Sequence, residues 1–140
     1  ESYFKRLTDP DPAVHLPASR IWARFEGACS TLMPNPESVS SLETGRAASA
    51  LARIEAHYFR HHMFLPGDHF FAHLDRIRHL PATLIQGRYD RVCPITTADE
   101  FTRAGPDADY VIISDAGHSA MEPSIRSALV AATERHKALG

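Results

Sequence analysis

The 140-residue sequence predicts an α/β chain whose parallel sheet is incomplete and is preceded by a helical segment. Three observations predict it. Downstream of Pro81, the apolar runs Ala82-Thr83-Leu84-Ile85-Gln86 and Asp109-Tyr110-Val111-Ile112-Ile113 alternate with helix-like stretches. That order builds a parallel strand pair joined by a right-handed crossover. Upstream of Pro81 the chain reads instead as helices joined by Pro-containing loops. Two strands are also too few for a free-standing α/β sheet, so the missing strands are expected upstream.

In the helical part, Pro17 suits the first turn of a helix, where its absent N–H is not needed. Ala18, Ile21, Trp22 and Phe25 follow at i, i+3, i+4, i+7, an apolar stripe with Glu26 at its edge. Pro34 and Pro36 end that segment. A second helix is expected from about Gly45 to Arg60, carrying Ala47, Ala48, Leu51, Ile54, Tyr58 and Phe59 on one face with Glu55 in its middle. A short third helix spans roughly Asp68 to His73. In the second part, Pro81 and Gly87 bound the first buried strand. Thr96 or Thr97 is expected to cap a helix reaching Arg103, and Gly105-Pro106 to stop it. Ile125, Ala128, Leu129 and Ala132 mark a closing amphipathic helix.

Fifteen Lys+Arg against 17 Asp+Glu leave a net charge of −2, which argues against an electrostatic grip on nucleic acid. No apolar stretch approaches the roughly 20 residues of a membrane-spanning helix. The two cysteines, Cys29 and Cys93, make neither a disulfide framework nor a zinc spacing, which points to a reducing, cytoplasmic setting. Glu1-Ser2-Tyr3-Phe4-Lys5-Arg6 has no apolar core behind it and so does not read as a secretory signal. The sequence opens on Glu and runs directly into helix-like residues, as a piece of a longer protein would.

Both strands lead into polar loops, Gly87-Arg88-Tyr89-Asp90 and Ala116-Gly117-His118-Ser119. Ligands of open α/β sheets bind beyond the carboxyl ends of the strands, so Asp90 and His118 can meet there. Asp90 would orient one ring nitrogen of His118 and leave the other to handle a proton. These are the supporting members of a Ser/His/Asp constellation in the chain order of α/β-hydrolases. A turn aspartate and an unrelated surface histidine are the alternative. The nucleophile is missing: glycines at 27, 45, 67, 87, 105, 117 and 140 include no pair four apart, so no G-x-S-x-G elbow exists. Ser119 directly follows the expected base, and Ser30 has no elbow around it.

Four segments then carry a specific resemblance. Trp22…Phe25-Glu26-Gly27, Arg53-Ile54-Glu55-Ala56-His57-Tyr58-Phe59, Ile85-Gln86-Gly87-Arg88-Tyr89-Asp90-Arg91-Val92-Cys93-Pro94 and Ala116-Gly117-His118-Ser119-Ala120-Met121-Glu122-Pro123 resemble, in order and spacing, the C-terminal half of proline iminopeptidases. These are α/β-hydrolase-fold serine aminopeptidases (peptidase family S33) that release N-terminal proline. Phe25 stands where the family usually has a second Trp. The resemblance implies an α/β architecture made of a helical cap, residues 1–75, and the last strands and helices of the hydrolase core, residues 76–140. It implies that Asp90 is the triad acid and His118 the base, and that Glu26 and Glu55 hold the substrate's amino group. It places the nucleophilic Ser in a missing N-terminal half, so that the chain alone should be inactive, and it implies no metal or cofactor.

The residues themselves fit such a role. A cationic secondary amine beside a compact ring is met by carboxylates set among aromatics, here Trp22, Phe25, Tyr58 and Phe59. Glu55 on an apolar face needs a partner, and a salt bridge to Arg24 or Arg53 in a purely structural cap is the competing explanation. Arg88 and Arg91 read as ion-pair partners without a catalytic role. Cys93, three residues after Asp90, is expected near the site. Two other readings remain open: an α/β-hydrolase acting on other esters or amides, and a non-catalytic binding module using the His57/His61 or His69/His73 pairs for a metal.

Overall fold

The computed structural model describes residues 2–44, 47–105 and 107–139. The chain divides into two compact units, one drawn from Glu1–Ala28 and Pro34–Gly67, the other from Cys29–Met33 and Asp68–Gly140. The division therefore falls at Gly67/Asp68, before the expected boundary near residue 75, and it assigns the five residues 29–33 to the second unit.

The first unit is helical, with α1 (Ser2–Leu7), α2 (Pro12–Ser30, whose last two residues belong to the second unit), α3 (Pro36–Thr44) and α4 (Ala47–Arg60). Helix α2 begins five residues before the expected start at Pro17, which lies inside it. The reason is a better start signal. Asp11 Oδ1 accepts from the Ala13 N–H at 2.8 Å, and Pro12 follows at the first helical position. The same Asx-Pro signal launches α3, a stretch to which no helix was assigned: Asn35 Oδ1 accepts from the Ser38 N–H at 3.1 Å ahead of Pro36.

The buried faces keep Ala18 and Ala48 from the expected stripes and otherwise differ from them. On α2 the buried residues are Ala18, Ser19, Ala23 and Gly27, while Ile21 and Phe25 are exposed. On α4 they are Ala48, Ala52 and Ala56, at i, i+4, i+8, with Ile54, Tyr58 and Phe59 exposed. Small residues thus form the buried faces, and the bulky side chains stand exposed beside them. Leu7 packs with Ala18, Ala52 and Ala56, flanked by Tyr3, Phe4 and Trp22. Arg53 Nε donates to the Leu7 carbonyl at 2.6 Å, satisfying an acceptor at the end of α1. The expected helix start at Gly45 lies outside the described residues.

The second unit contains α5 (His69–Ala72), β1 (Ala82–Gly87), α6 (Ile95–Arg103), β2 (Ala108–Ile113) and α7 (Pro123–His136). β1 and β2 pair in parallel, Ala82 opposite Ala108 through Gly87 opposite Ile113, and are the two strands of the sheet among the described residues. Helix α6 starts one residue before Thr96 with Pro94 at its cap position and no side-chain cap, so neither Thr96 nor Thr97 takes that role. Gly105 follows α6 with φ of +116°, a conformation that glycine adopts freely; Pro106 lies outside the described residues. Pro123 opens α7, which buries Ile125 and Ala132. No described helix is long and apolar enough to cross a membrane.

Candidate active site

Asp90 and His118 meet at the carboxyl ends of β1 and β2. Three main-chain bonds shape the turn after β1: Arg88 N–H donates to Ile113 O (2.9 Å), Tyr89 N–H to Ala116 O (3.0 Å) and Asp90 N–H to Gly87 O (3.3 Å). They fold Asp90 inward, leaving it 8% exposed. Its Oδ1 accepts from the N–H groups of Val92 (2.9 Å) and Cys93 (2.8 Å). Its Oδ2 accepts from Gln86 Nε2 (3.2 Å) and His118 Nδ1 (3.0 Å). Four donors thus fix one carboxylate, and both its oxygens are matched without water. With Nδ1 donating, the imidazole carries its lone pair on Nε2, and the His118 side chain is 37% exposed.

Glycine is required where the two strand ends approach each other. A Cβ on Gly87 would overlap the Gly117 carbonyl oxygen and lie 2.8 Å from Gly117 C and 2.9 Å from Ala116 O. The His118 loop is then tied to residues 29–33. The N–H groups of His118 (3.0 Å) and Ser119 (2.7 Å) both donate to Ser30 O. Glu122 accepts from Gly117 N–H at Oε1 (2.7 Å) and from Leu32 N–H at Oε2 (3.1 Å). Ser119 Oγ accepts from Met121 N–H, within its own turn. Desolvation of the thiol and, behind it, the Asp90 charge push Cys93 above the ordinary cysteine range.

The first unit holds the expected substrate-binding residues. Trp22 Nε1 donates to Glu55 Oε2 at 2.6 Å, so Glu55 is held by an aromatic donor, while Arg53 is turned to Leu7 instead. Tyr3, Ile21, Trp22, Phe25, Glu26 and Phe59 line a cavity of about 430 Å³, in which the Glu26 carboxylate is the acidic group. Tyr58 lies outside that lining, edge-on to Phe64 at 5.5 Å. The His57/His61 rings stand 4.7 Å apart and the His69/His73 rings 4.6 Å, but no group of three or more metal-ligating side chains occurs among the described residues.

Sequence reasoning brought Asp90 and His118 together, gave no role to Gln86 or Glu122, and read Gly87 only as the end of the first strand. All three stand inside the motifs that pointed to the pair, yet their work lies in bonds to main-chain or carboxylate groups that sequence spacing does not display.

No family model matches the chain. Among curated proteins it is 43% identical over 140 residues to a proline iminopeptidase of Arabidopsis thaliana, a match covering 99% of this chain and 37% of the relative. It is 41% identical to a probable proline iminopeptidase of Leptolyngbya boryana, covering 96% and 42%. It is 40% identical to a proline iminopeptidase of Xylella fastidiosa, covering 95% and 43%. The chain therefore spans less than half the length of the curated relatives it matches.

Proposed function

We propose that this chain, a relative of proline iminopeptidases over nearly its whole length, is the C-terminal portion of an α/β-hydrolase-fold serine aminopeptidase that releases N-terminal proline from peptides. The observation that carries the reading is the 3.0 Å contact between His118 Nδ1 and a four-donor Asp90 carboxylate. In this reading residues 1–75 form the helical cap, residues 76–140 close the hydrolase core, and the nucleophilic serine comes from the N-terminal half.

His118 Nε2 takes the serine hydroxyl proton as the oxygen attacks the prolyl carbonyl. It then returns the proton to the departing amine as the C–N bond breaks. Water, deprotonated in the same way, cleaves the acyl ester and frees proline. Asp90 stabilises the imidazolium that forms at each step. Glu26 and Glu55 take the two N–H donors of the prolyl ammonium, with Trp22, Phe25 and Phe59 as apolar walls around the ring. A peptide with a blocked amino terminus leaves those carboxylates unmatched and is a poor substrate.

The test uses the full-length protein containing this chain, with proline-β-naphthylamide. Glu55→Gln should lower kcat/KM on the order of 100-fold, since a charge-assisted bond to the ammonium is lost. An unchanged kcat/KM, or equal turnover of the N-acetylated substrate, assigns the protein to another ester or amide hydrolase activity. The 140 residues alone should show no turnover, and turnover by them would overturn the placement of the nucleophile.

A further inference from the structure

Glu122 occupies the cap position of α7 with extended backbone angles (φ −62°, ψ 136°), yet its side chain makes no capping bond to that helix. Pro123 opens the helix, and the N–H groups of the next turn, which a capping side chain would reach, receive no bond from the Glu122 side chain. Both oxygens turn backward: Oε1 receives Gly117 N–H at 2.7 Å and Oε2 receives Leu32 N–H at 3.1 Å. One carboxylate thus bridges the residue immediately before His118 to the 29–33 segment. Ser30 O grips the same loop by accepting from the His118 and Ser119 N–H groups. The space between the two strands of backbone is already filled, since a Cβ on Gly117 would come within 3.0 Å of Leu32 N and 3.3 Å of Glu122 Oε1. Among the described residues the imidazole's hydrogen bond is the one to Asp90 Oδ2, so the place from which the ring starts depends on the main chain at 117–119.

We infer that Glu122 is a positioning residue for His118: its carboxylate locks the Gly117–His118 main chain against Leu32 and so fixes where the imidazole can deliver a proton. The kinetic arm of this inference rests on the function proposed above. The Glu122 carboxylate bonds go to Gly117 and Leu32 rather than to Asp90 or the imidazole, so its removal acts through the loop.

The experiment compares Glu122→Ala and the isosteric Glu122→Gln in the full-length protein. Removing both bonds should lower kcat for proline-β-naphthylamide by about 10- to 100-fold, the effect of a small misplacement, with KM changed less than about twofold. Glu122→Gln accepts from one N–H and turns its amide toward the other, so it should fall between wild type and Glu122→Ala. By NMR, the Gly117 and Leu32 amides should lose exchange protection, and the His118 Nδ1–H resonance should broaden while Asp90 and His118 are unchanged in sequence. Retained kcat, or a broadening-free His118 resonance in a folded Glu122→Gln protein, overturns the inference. So does a loss of activity matched by the fraction unfolded. If the wild-type protein hydrolyses no prolyl substrate, the proposed function fails, and the amide and imidazole signals still decide the role of Glu122.

Discussion

Gly87→Ala places a methyl group into the Gly117 carbonyl, with Gly117 C at 2.8 Å and Ala116 O at 2.9 Å. All three obstacles are main chain, so no rotamer change relieves them. The 116–117 turn has to withdraw by an amount on the order of 1 Å before ordinary contact is restored. Arg88 N–H to Ile113 O and Tyr89 N–H to Ala116 O span the same gap and would lengthen with it. Overpacking of about 1–3 kcal/mol and two weakened hydrogen bonds at about 1 kcal/mol each give a loss of roughly 3–5 kcal/mol. That is a large share of the roughly 5–15 kcal/mol that holds a typical domain together. The same displacement separates the loops bearing Asp90 and His118, so activity in the full-length protein should drop about 100-fold beyond any loss of folded protein. Urea unfolding followed by circular dichroism measures the first effect, and kcat corrected for folded fraction the second. Gly67→Ala is the control: nothing lies within 4 Å of its added Cβ and no positive φ is involved, so stability should hold or rise by about 0.4–1 kcal/mol. A Gly87→Ala protein within about 0.5 kcal/mol of wild type, at unchanged m, would refute the claim that this close approach is what admits only glycine.

Other outcomes follow from single contacts. Because Cys93 is raised by desolvation first and by Asp90 second, it holds less thiolate at pH 8 than a free thiol, and iodoacetamide should modify it slowly. Asp90→Asn keeps the acceptor for the Val92 and Cys93 N–H groups but removes the charge, so modification should quicken; peptide mapping that shows no change would contradict the second cause. The Tyr110 hydroxyl is buried with no hydrogen-bond partner among the described residues, so Tyr110→Phe should be neutral or stabilising by up to about 1 kcal/mol, where a loss above that would reveal a partner. Asp11→Ala removes the acceptor for Ala13 N–H and should cost α2 about 1 kcal/mol in thermal or urea unfolding.

The strand pair, its parallel direction and the meeting of Asp90 with His118 were legible because buried strands are short apolar runs, and loops at parallel strand ends face the same way. The helical segment was less legible. Hydrophobic periodicity placed Ala18 and Ala48 on faces that are buried, but it set Ile21, Phe25, Ile54 and Phe59 beside them where the other buried residues are Ala23, Ala52 and Ala56. A period analysis weights bulk, and bulk gives way where helices touch through small residues. Asp11-Pro12 and Asn35-Pro36 were readable helix starts, but Pro17 drew the first start downstream and Pro36 was read as a stop rather than a first helical residue. Glu55 shows a further limit: a carboxylate on an apolar face suggested an arginine, and the donor it found is the Trp22 indole.

The four donors around Asp90 also bear on temperature. Such a group has no torsion left to freeze when positive charge arrives on the neighbouring ring, because folding has already taken away that freedom. The activation entropy of the proton-transfer step in the whole protein should therefore lie near zero, and deleting the Gln86 amide should make it more negative before it changes the enthalpy.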